Sequence, residues 1–316
     1  MNKVEIENYV SVLGGCNIDI IGLPHSTLIR GDSNLGSVEL TLGGVGRNIA
    51  ENIGLLGLPI KMFSVVGEDI YGDKLISETT VSGVDMSFVK VVAGVNTGTY
   101  LAILDENKDM DVAINDMDII EYLNRDYIFE NYKTIKNSSI IVFDTNPGGE
   151  ILTYATELFG DKKLFLDTVS NIKAKKAKSI IGRFHTIKPN LKEAEVLTGI
   201  TINSYDDMKN ACAILHKKGV HNICISLSER GVFYSSKDGF GVMDTLNKKP
   251  KNVTGAGDAF QAGLVYGEYN GLKFKDTVRL AMAAASMAMD TPQTINRDIR
   301  IEDIIKLSKK VEEIKI

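Results

Sequence analysis

The 316-residue sequence has little of what marks several protein classes. Its three cysteines, Cys16, Cys212 and Cys224, are odd in number and far apart. That excludes a disulfide framework, and no C-x-x-C pair offers a zinc site. Cys212 falls on the apolar face of an expected helix and Cys224 inside an expected strand, so both read as small core residues. The four histidines, His25, His185, His216 and His221, lack metal-ligand spacing. No block of Lys or Arg stands out against a net charge of −5, which argues against a nucleic-acid or membrane partner. No apolar run reaches membrane-spanning length. The stretch from Met1 to Glu7 is polar, without a signal-peptide core. Repeats and low-complexity tracts are missing too. The expectation is a soluble, reduced, cytoplasmic protein whose 44% hydrophobic residues suffice for a sizeable core.

What is present is an alternation of strand and helix patterns. Val10 to Leu13 reads as a buried strand ended by Gly14 and Gly15. Ser37 to Leu42 alternates as a half-exposed strand does. Ile49, Ile53 and Leu56 form one helical face, with Gly57 as a stop. A strand over Ile60 to Val65 and a helix over Gly72 to Val81 follow. Thr97 to Leu104 and Asp111 to Asn115 predict a hairpin around Asp105 to Lys108. Further on, strands at Ser139 to Phe143, Leu164 to Asp167, Thr186 to Ile187, Asn222 to Leu227 and Val232 to Ser235 interleave with helical patterns. The helices cover Glu150 to Phe159, Lys192 to Leu197, a segment capped by Ser204 and Asp207, Thr277 to Met289, and Glu302 to about Val311. This predicts an α/β fold with a mostly parallel sheet and helices on both faces, and ligands at the C-terminal strand ends. The β-only stretches, about 16–42 and 95–118, predict a small sheet outside one domain spanning 1–316.

Three stretches carry chemistry. In Val253-Thr254-Gly255-Ala256-Gly257-Asp258-Ala259-Phe260, residues with almost no side chain precede a helical pattern in which Phe260, Leu264 and Gly267 recur. The backbone N–H groups of a helix start favour an anion. Asp258, in the first turn, can take a proton from a hydroxyl attacking that anion. Cradle plus base suggests phosphoryl transfer. A tight turn with a capping Asp is the plainer alternative.

The second stretch is Gly43-Gly44-Val45-Gly46-Arg47-Asn48-Ile49-Ala50, a glycine loop opening another helix. Gly44 and Gly46 mimic part of a dinucleotide fingerprint, with Asp69 near the ribose-binding position, but Ile49 stands where Gly or Ala is wanted. Asn17 and Asp19 point to one side of an extended segment, either to bind hydroxyls or to make a turn. The third stretch is Lys188-Pro189-Asn190-Leu191-Lys192-Glu193. Asn190 and Glu193 share one side of a helix start, where they either hold the water shell of magnesium on ATP or form a capping box.

Together these pieces resemble the ribokinase-like (PfkB-type) family of sugar and nucleoside kinases. The resemblance rests on Gly15-Cys16-Asn17-Ile18-Asp19, residues Gly43 to Ala50, Val66-Gly67-Glu68-Asp69 with Gly72, Gly83-Val84-Asp85, Lys188-Pro189-Asn190 with Glu193, and Thr254 to Asp258. They occur in the family's order from residue 10 to about 290. The resemblance implies a three-layer αβα fold with a β lid and an ATP- and magnesium-dependent kinase. Asp258 would be the base, with Gly255, Ala256 and Gly257 stabilising the transferring group. Asn17, Asp19, Gly43, Gly44 and Asn48 would bind the sugar. Asn190 and Glu193 would act through magnesium, and Ser226, Ser228, Gly231, Thr254 and Gly257 would meet ATP. Serines at 226 and 228 replace the family's usual glycines. Asn252 stands where many ribokinases have a potassium-binding aspartate, which makes potassium dependence doubtful.

The lid residues, with Val169-Ser170 and Lys173, are similar to those of the family's pseudouridine kinases. That implies phosphorylation of the 5′-hydroxyl of pseudouridine to pseudouridine 5′-phosphate, with Thr99, Asn115 and Asp116 near the uracil and Lys173 near substrate or phosphates. It also implies a homodimer through the lid. The alternatives are the same chemistry on ribose, another sugar or another nucleoside, and a non-catalytic ligand-binding regulator.

Overall fold

Strands buried on both faces organise the molecule. A computed structural model describes residues 8–246 and 250–315. Its larger sheet has ten strands among the described residues. From one edge the order is Glu313–Ile314, Gly239–Met243, Val232–Ser236, Asn222–Ser226, Thr186–Ile187, Lys163–Asp167, Ile140–Asp144, Val10–Leu13, Ile60–Phe63 and Val84–Asp85. Asn222–Ser226 through Val84–Asp85 run parallel; the three strands beyond Asn222–Ser226 pair antiparallel.

The period of two divides the central strands between two cores. Val10, Val12, Ile140 and Val142 face one cluster, shared with the helices Val45–Leu55, Ala256–Tyr269 and Phe274–Ala288. Leu13, Ile141, Phe143, Leu164 and Leu166 face the other, shared with Gly149–Leu158, Leu191–Thr198 and Tyr205–Lys218. Helices therefore cover both faces, as the near-continuous apolar runs require. Each such Val, Ile or Leu contributes about 1.5–3 kcal/mol by leaving water. Cys212 and Cys224 are buried within these clusters.

The two β-only stretches come together as one four-stranded sheet, ordered Gly36–Gly43, Asn17–Pro24, Thr99–Leu104, Met110–Asp116. The hairpin is antiparallel, with Tyr100 opposite Asn115 and Thr99 opposite Asp116. One expectation fails locally. The strand expected over Ile60 to Val65 stops at Phe63, and Val65–Gly67 pairs instead with Lys90–Val92 in a separate two-stranded sheet. The break is at Ser64, buried, whose hydroxyl donates to Gly14 O at 2.7 Å. That bond ties the break to the turn after Val10–Leu13. Among the described residues, no helix is long and apolar enough to cross a membrane.

Candidate active site

At the C-terminal ends of the parallel strands, one buried carboxylate holds two glycine turns together. Asp144 ends Ile140–Asp144 and is fully buried. Its Oδ2 accepts from Gly15 N at 2.9 Å, Gly46 N at 2.8 Å and Asn146 Nδ2 at 2.7 Å. Burial raises its pKa, and these hydrogen bonds act in the opposite direction. The turns pack backbone on backbone. A Cβ on Gly44, where φ is 95°, would lie 2.3 Å from Gly15 O, so only glycine fits. Lys173 donates to Asn146 Oδ1, which places its ammonium beside this wall.

Asn17 and Asp19 do share one side of their strand, with Asn17 Nδ2 donating to Asp19 Oδ1 at 2.7 Å. The Asp19 carboxylate lies against Gly43, 2.5 Å from where a Cβ would sit. Burial raises the Asp19 pKa, against the hydrogen bond from Asn17 and the charge of Arg47. Arg47 is 1% exposed; it donates to Leu42 O and Gly43 O at 2.8 Å, and it bonds Glu51 and Asn48. It thus anchors the end of the small sheet onto the Val45–Leu55 helix.

Asn48 connects this region to the third glycine turn. Its Nδ2 donates to Asp258 Oδ2 at 2.8 Å, across 210 residues of chain. Gly255, at φ 82°, precedes the Ala256–Tyr269 helix, whose N-terminus has no side-chain cap. A Cβ on Gly255 would lie 2.1 Å from Thr294 O. The first-turn N–H groups have no intrahelical partner and can meet an anion. Asp258 is 9% exposed. Burial, then the charge of Asp167, pushes its pKa up to about 7; Lys188, Asn48 and Arg47 pull the other way. A carboxylate poised there can exchange a proton near neutral pH.

Asn190 and Glu193 form a reciprocal capping box. Glu193 N donates to Asn190 Oδ1 and Asn190 N to Glu193 Oε2, both at 2.9 Å. Glu193 also accepts from Asn190 Nδ2 at 2.8 Å and Thr168 Oγ1 at 2.6 Å. The backbone of Ser226 pairs in parallel with Asn190, its N donating to Pro189 O at 3.0 Å. Ser228 sits at φ 56° and Gly231 at φ 85°. A serine held there costs about 1–3 kcal/mol that glycine would not. Thr254 N donates to Asn252 Oδ1, and Asn252 Nδ2 donates to Pro292 O, both at 2.9 Å.

Two readings fall. The dinucleotide fingerprint is excluded because the strand before Gly44 belongs to the small sheet. Asp69 caps the helix Ile70–Val81, accepting from Tyr71 N and Gly72 N, and ties it to Thr97 by accepting from Thr97 N and Thr97 Oγ1. In the small sheet, register divides the three polar candidates. Asp19, Tyr100 and Asn115 align on one face, whereas Thr99 and Asp116 align with Ile18 on the other.

The sequence alone gives no role to five residues that the structure brings to the site: Arg47, Asp144, Asn146, Asp167 and Lys188. Asp144 and Asp167 each end an apolar run, a signal that was available. Arg47 and Lys188 stood inside motifs already singled out but had no assigned role.

Residues 7–300 match the profile described as pfkB family carbohydrate kinase. The chain is 38% identical to pseudouridine kinase of Escherichia coli K12, covering 97% of this chain and 98% of that protein. It is 34% identical to the uncharacterized sugar kinase YeiI of the same organism, covering 95% and 83%. A solved Clostridium perfringens protein superposes with a TM-score of 0.88 at 35% identity, covering 99% of this chain and 100% of that one. The chain belongs to the pfkB family of carbohydrate kinases and is an ATP-dependent sugar or nucleoside kinase.

Proposed function

We propose that this pfkB-family kinase phosphorylates the 5′-hydroxyl of pseudouridine, giving pseudouridine 5′-phosphate, and does so as a cytoplasmic homodimer. The observation that carries the reading is the bond from Asn48 to Asp258, beside an uncapped glycine helix start. It joins a sugar-binding side chain to the base at the anion cradle. The acceptor hydroxyl gives its proton to Asp258 as its oxygen attacks the γ-phosphorus. The N–H groups from Gly255 to Gly257 meet the developing charge. Asn17, Asp19, Gly43, Gly44 and Asn48 hold the ribose hydroxyls, with Lys173 at the wall formed by Asn146.

The donor would enter past Ser226, Ser228, Gly231 and Thr254. Asn190 and Glu193 fit magnesium through water: their oxygens are committed to the capping box, yet a carboxylate oxygen accepts more than one hydrogen bond. Bound there, magnesium would neutralise phosphate charge. The residues 16–42 and 95–118 act as a lid on the single domain. Asn115, on the Asp19 face, is the lid side chain best placed for the uracil edge. Thr99 and Asp116 belong to the opposite face, where Val38 (74% exposed), Val112 (51%) and Ile114 (63%) form an apolar surface suited to a second lid.

Similarity to YeiI keeps a second reading in view, the same transfer to ribose, another sugar or another nucleoside. A panel of pseudouridine, uridine and ribose, read by ADP release, decides. Pseudouridine should have the highest kcat/KM, by about tenfold or more. Equal or better turnover of uridine or ribose rejects the pseudouridine assignment.

A further inference from the structure

Lys188 follows the strand Thr186–Ile187, and its side chain is 12% exposed. Its Nζ lies 3.0 Å from Asp167 Oδ2. Nζ is also the nearest atom to a Cβ built on Gly257, at 3.1 Å. The ammonium therefore lies against the backbone of the anion cradle. Asp167 is held in turn: its Oδ1 accepts from Val169 N at 2.8 Å. Val169 stands at φ 58°, a strained conformation for a β-branched residue, of the kind that gathers at functional sites. Among the described residues Asp167 is the one ion-pair partner of Lys188. An ammonium has three donors, so donors remain for a ligand. A charge taken out of water costs heavily unless those donors are used, and a phosphoryl group at Gly257 would use them.

We propose that Lys188 is a catalytic residue that holds the γ-phosphoryl group during transfer, with Asp167 as its positioning residue. The proposal rests on the kinase activity but not on the identity of the acceptor. In the step, the acceptor oxygen forms a bond to the γ-phosphorus and its proton goes to Asp258. The bond from that phosphorus to the β,γ-bridging oxygen breaks, and its electron pair leaves with ADP. Lys188 keeps its proton throughout and donates hydrogen bonds to non-bridging oxygens.

The test compares wild type with Lys188→Met, Lys188→Arg and the double variant Lys188→Met/Asp167→Asn. The double variant removes the ion pair whole, so no buried charge is orphaned. Turnover, acceptor KM, thermal melting, and calorimetric binding of ADP and of a β,γ-imido ATP analogue are measured. Lys188→Met should lower kcat about 100-fold or more with acceptor KM nearly unchanged. It should also abolish any preference for the analogue over ADP while sparing ADP. Lys188→Arg should keep part of both properties, because charge is retained in a different shape. The double variant should melt near wild type and remain slow. A folded variant with wild-type kcat, or equal loss of ADP and analogue binding, overturns the proposal. If wild type turned over no sugar or nucleoside, the kinase reading would fail, and the two binding measurements would still decide the role of Lys188.

Discussion

The helices Leu191–Thr198 and Ala256–Tyr269 both begin at the candidate site, and they use their first N–H groups in opposite ways. At Leu191 the start is saturated: Asn190 and Glu193 satisfy each other, and Thr168 adds a further bond to Glu193. At Ala256 no side chain caps the start, and glycine stands where a capping residue would. A saturated helix start fixes geometry without a ligand. An unsaturated one, beside the buried Asp258 carboxylate and the partly buried Lys188 ammonium, has donors that can meet an anion. The same kind of short polar motif thus closes its own donors at one helix start and leaves them uncapped at the other.

The largest expected effect lies on the unsaturated side. Asp258→Asn should lower kcat about 10²–10⁴-fold while acceptor binding by calorimetry persists; retained turnover would remove Asp258 as the base. The charge state gives the same comparison a pH axis. Because the Asp258 pKa is raised to about 7, the free enzyme should lose its proposed base as pH falls through that value. kcat/KM should then drop about tenfold per pH unit below it. Stability runs the other way. The folded state holds this proton above the unfolded pKa of 3.8, so the stabilisation is present at low pH and lost as pH rises through about 7. Asp258→Asn should therefore melt above wild type at pH 8, and the gap should close toward pH 4.

On the saturated side the effect is smaller and falls first on folding. Asn190→Ala should cost about 1 kcal/mol of stability in magnesium-free buffer, read by denaturant unfolding. It should also raise the KM for magnesium-ATP. Unchanged stability would show the box to be idle; unchanged KM would confine it to architecture. The smallest effect concerns potassium. The Asn252 amide already links its turn to Pro292 O, a place where a cation could otherwise join two oxygens. Turnover should change by less than about twofold between potassium and cation-free buffer, on the scale of a minor electrostatic contact. A large increase would contradict this.

Much of the fold was legible because burial on two faces leaves continuous apolar runs. Ile140 to Phe143 and Leu164 to Leu166 could be assigned from composition alone. The antiparallel edge was only partly legible. Gly239–Met243 carries two glycines and an exposed Phe240, so its strand pattern is weak. The helices Arg125–Glu130 and Tyr132–Asn137 are too short for a helical period to show. The glycine turns were legible as motifs, but their partners were not. Asp144 reads as the polar end of a strand until Gly15 and Gly46 are seen to converge on it.

By itself the sequence determined where backbone could be approached closely, where strands would be buried, and which carboxylate stood at a helix start. Those properties follow from local residue size, polarity and period. Only the tertiary structure decided that Asn48 reaches Asp258, that Lys188 lies between Asp167 and Gly257, and that Thr99 and Asp116 turn away from Asp19. Those outcomes depend on which distant strand ends meet and in what register, and a one-residue shift in either would reverse them.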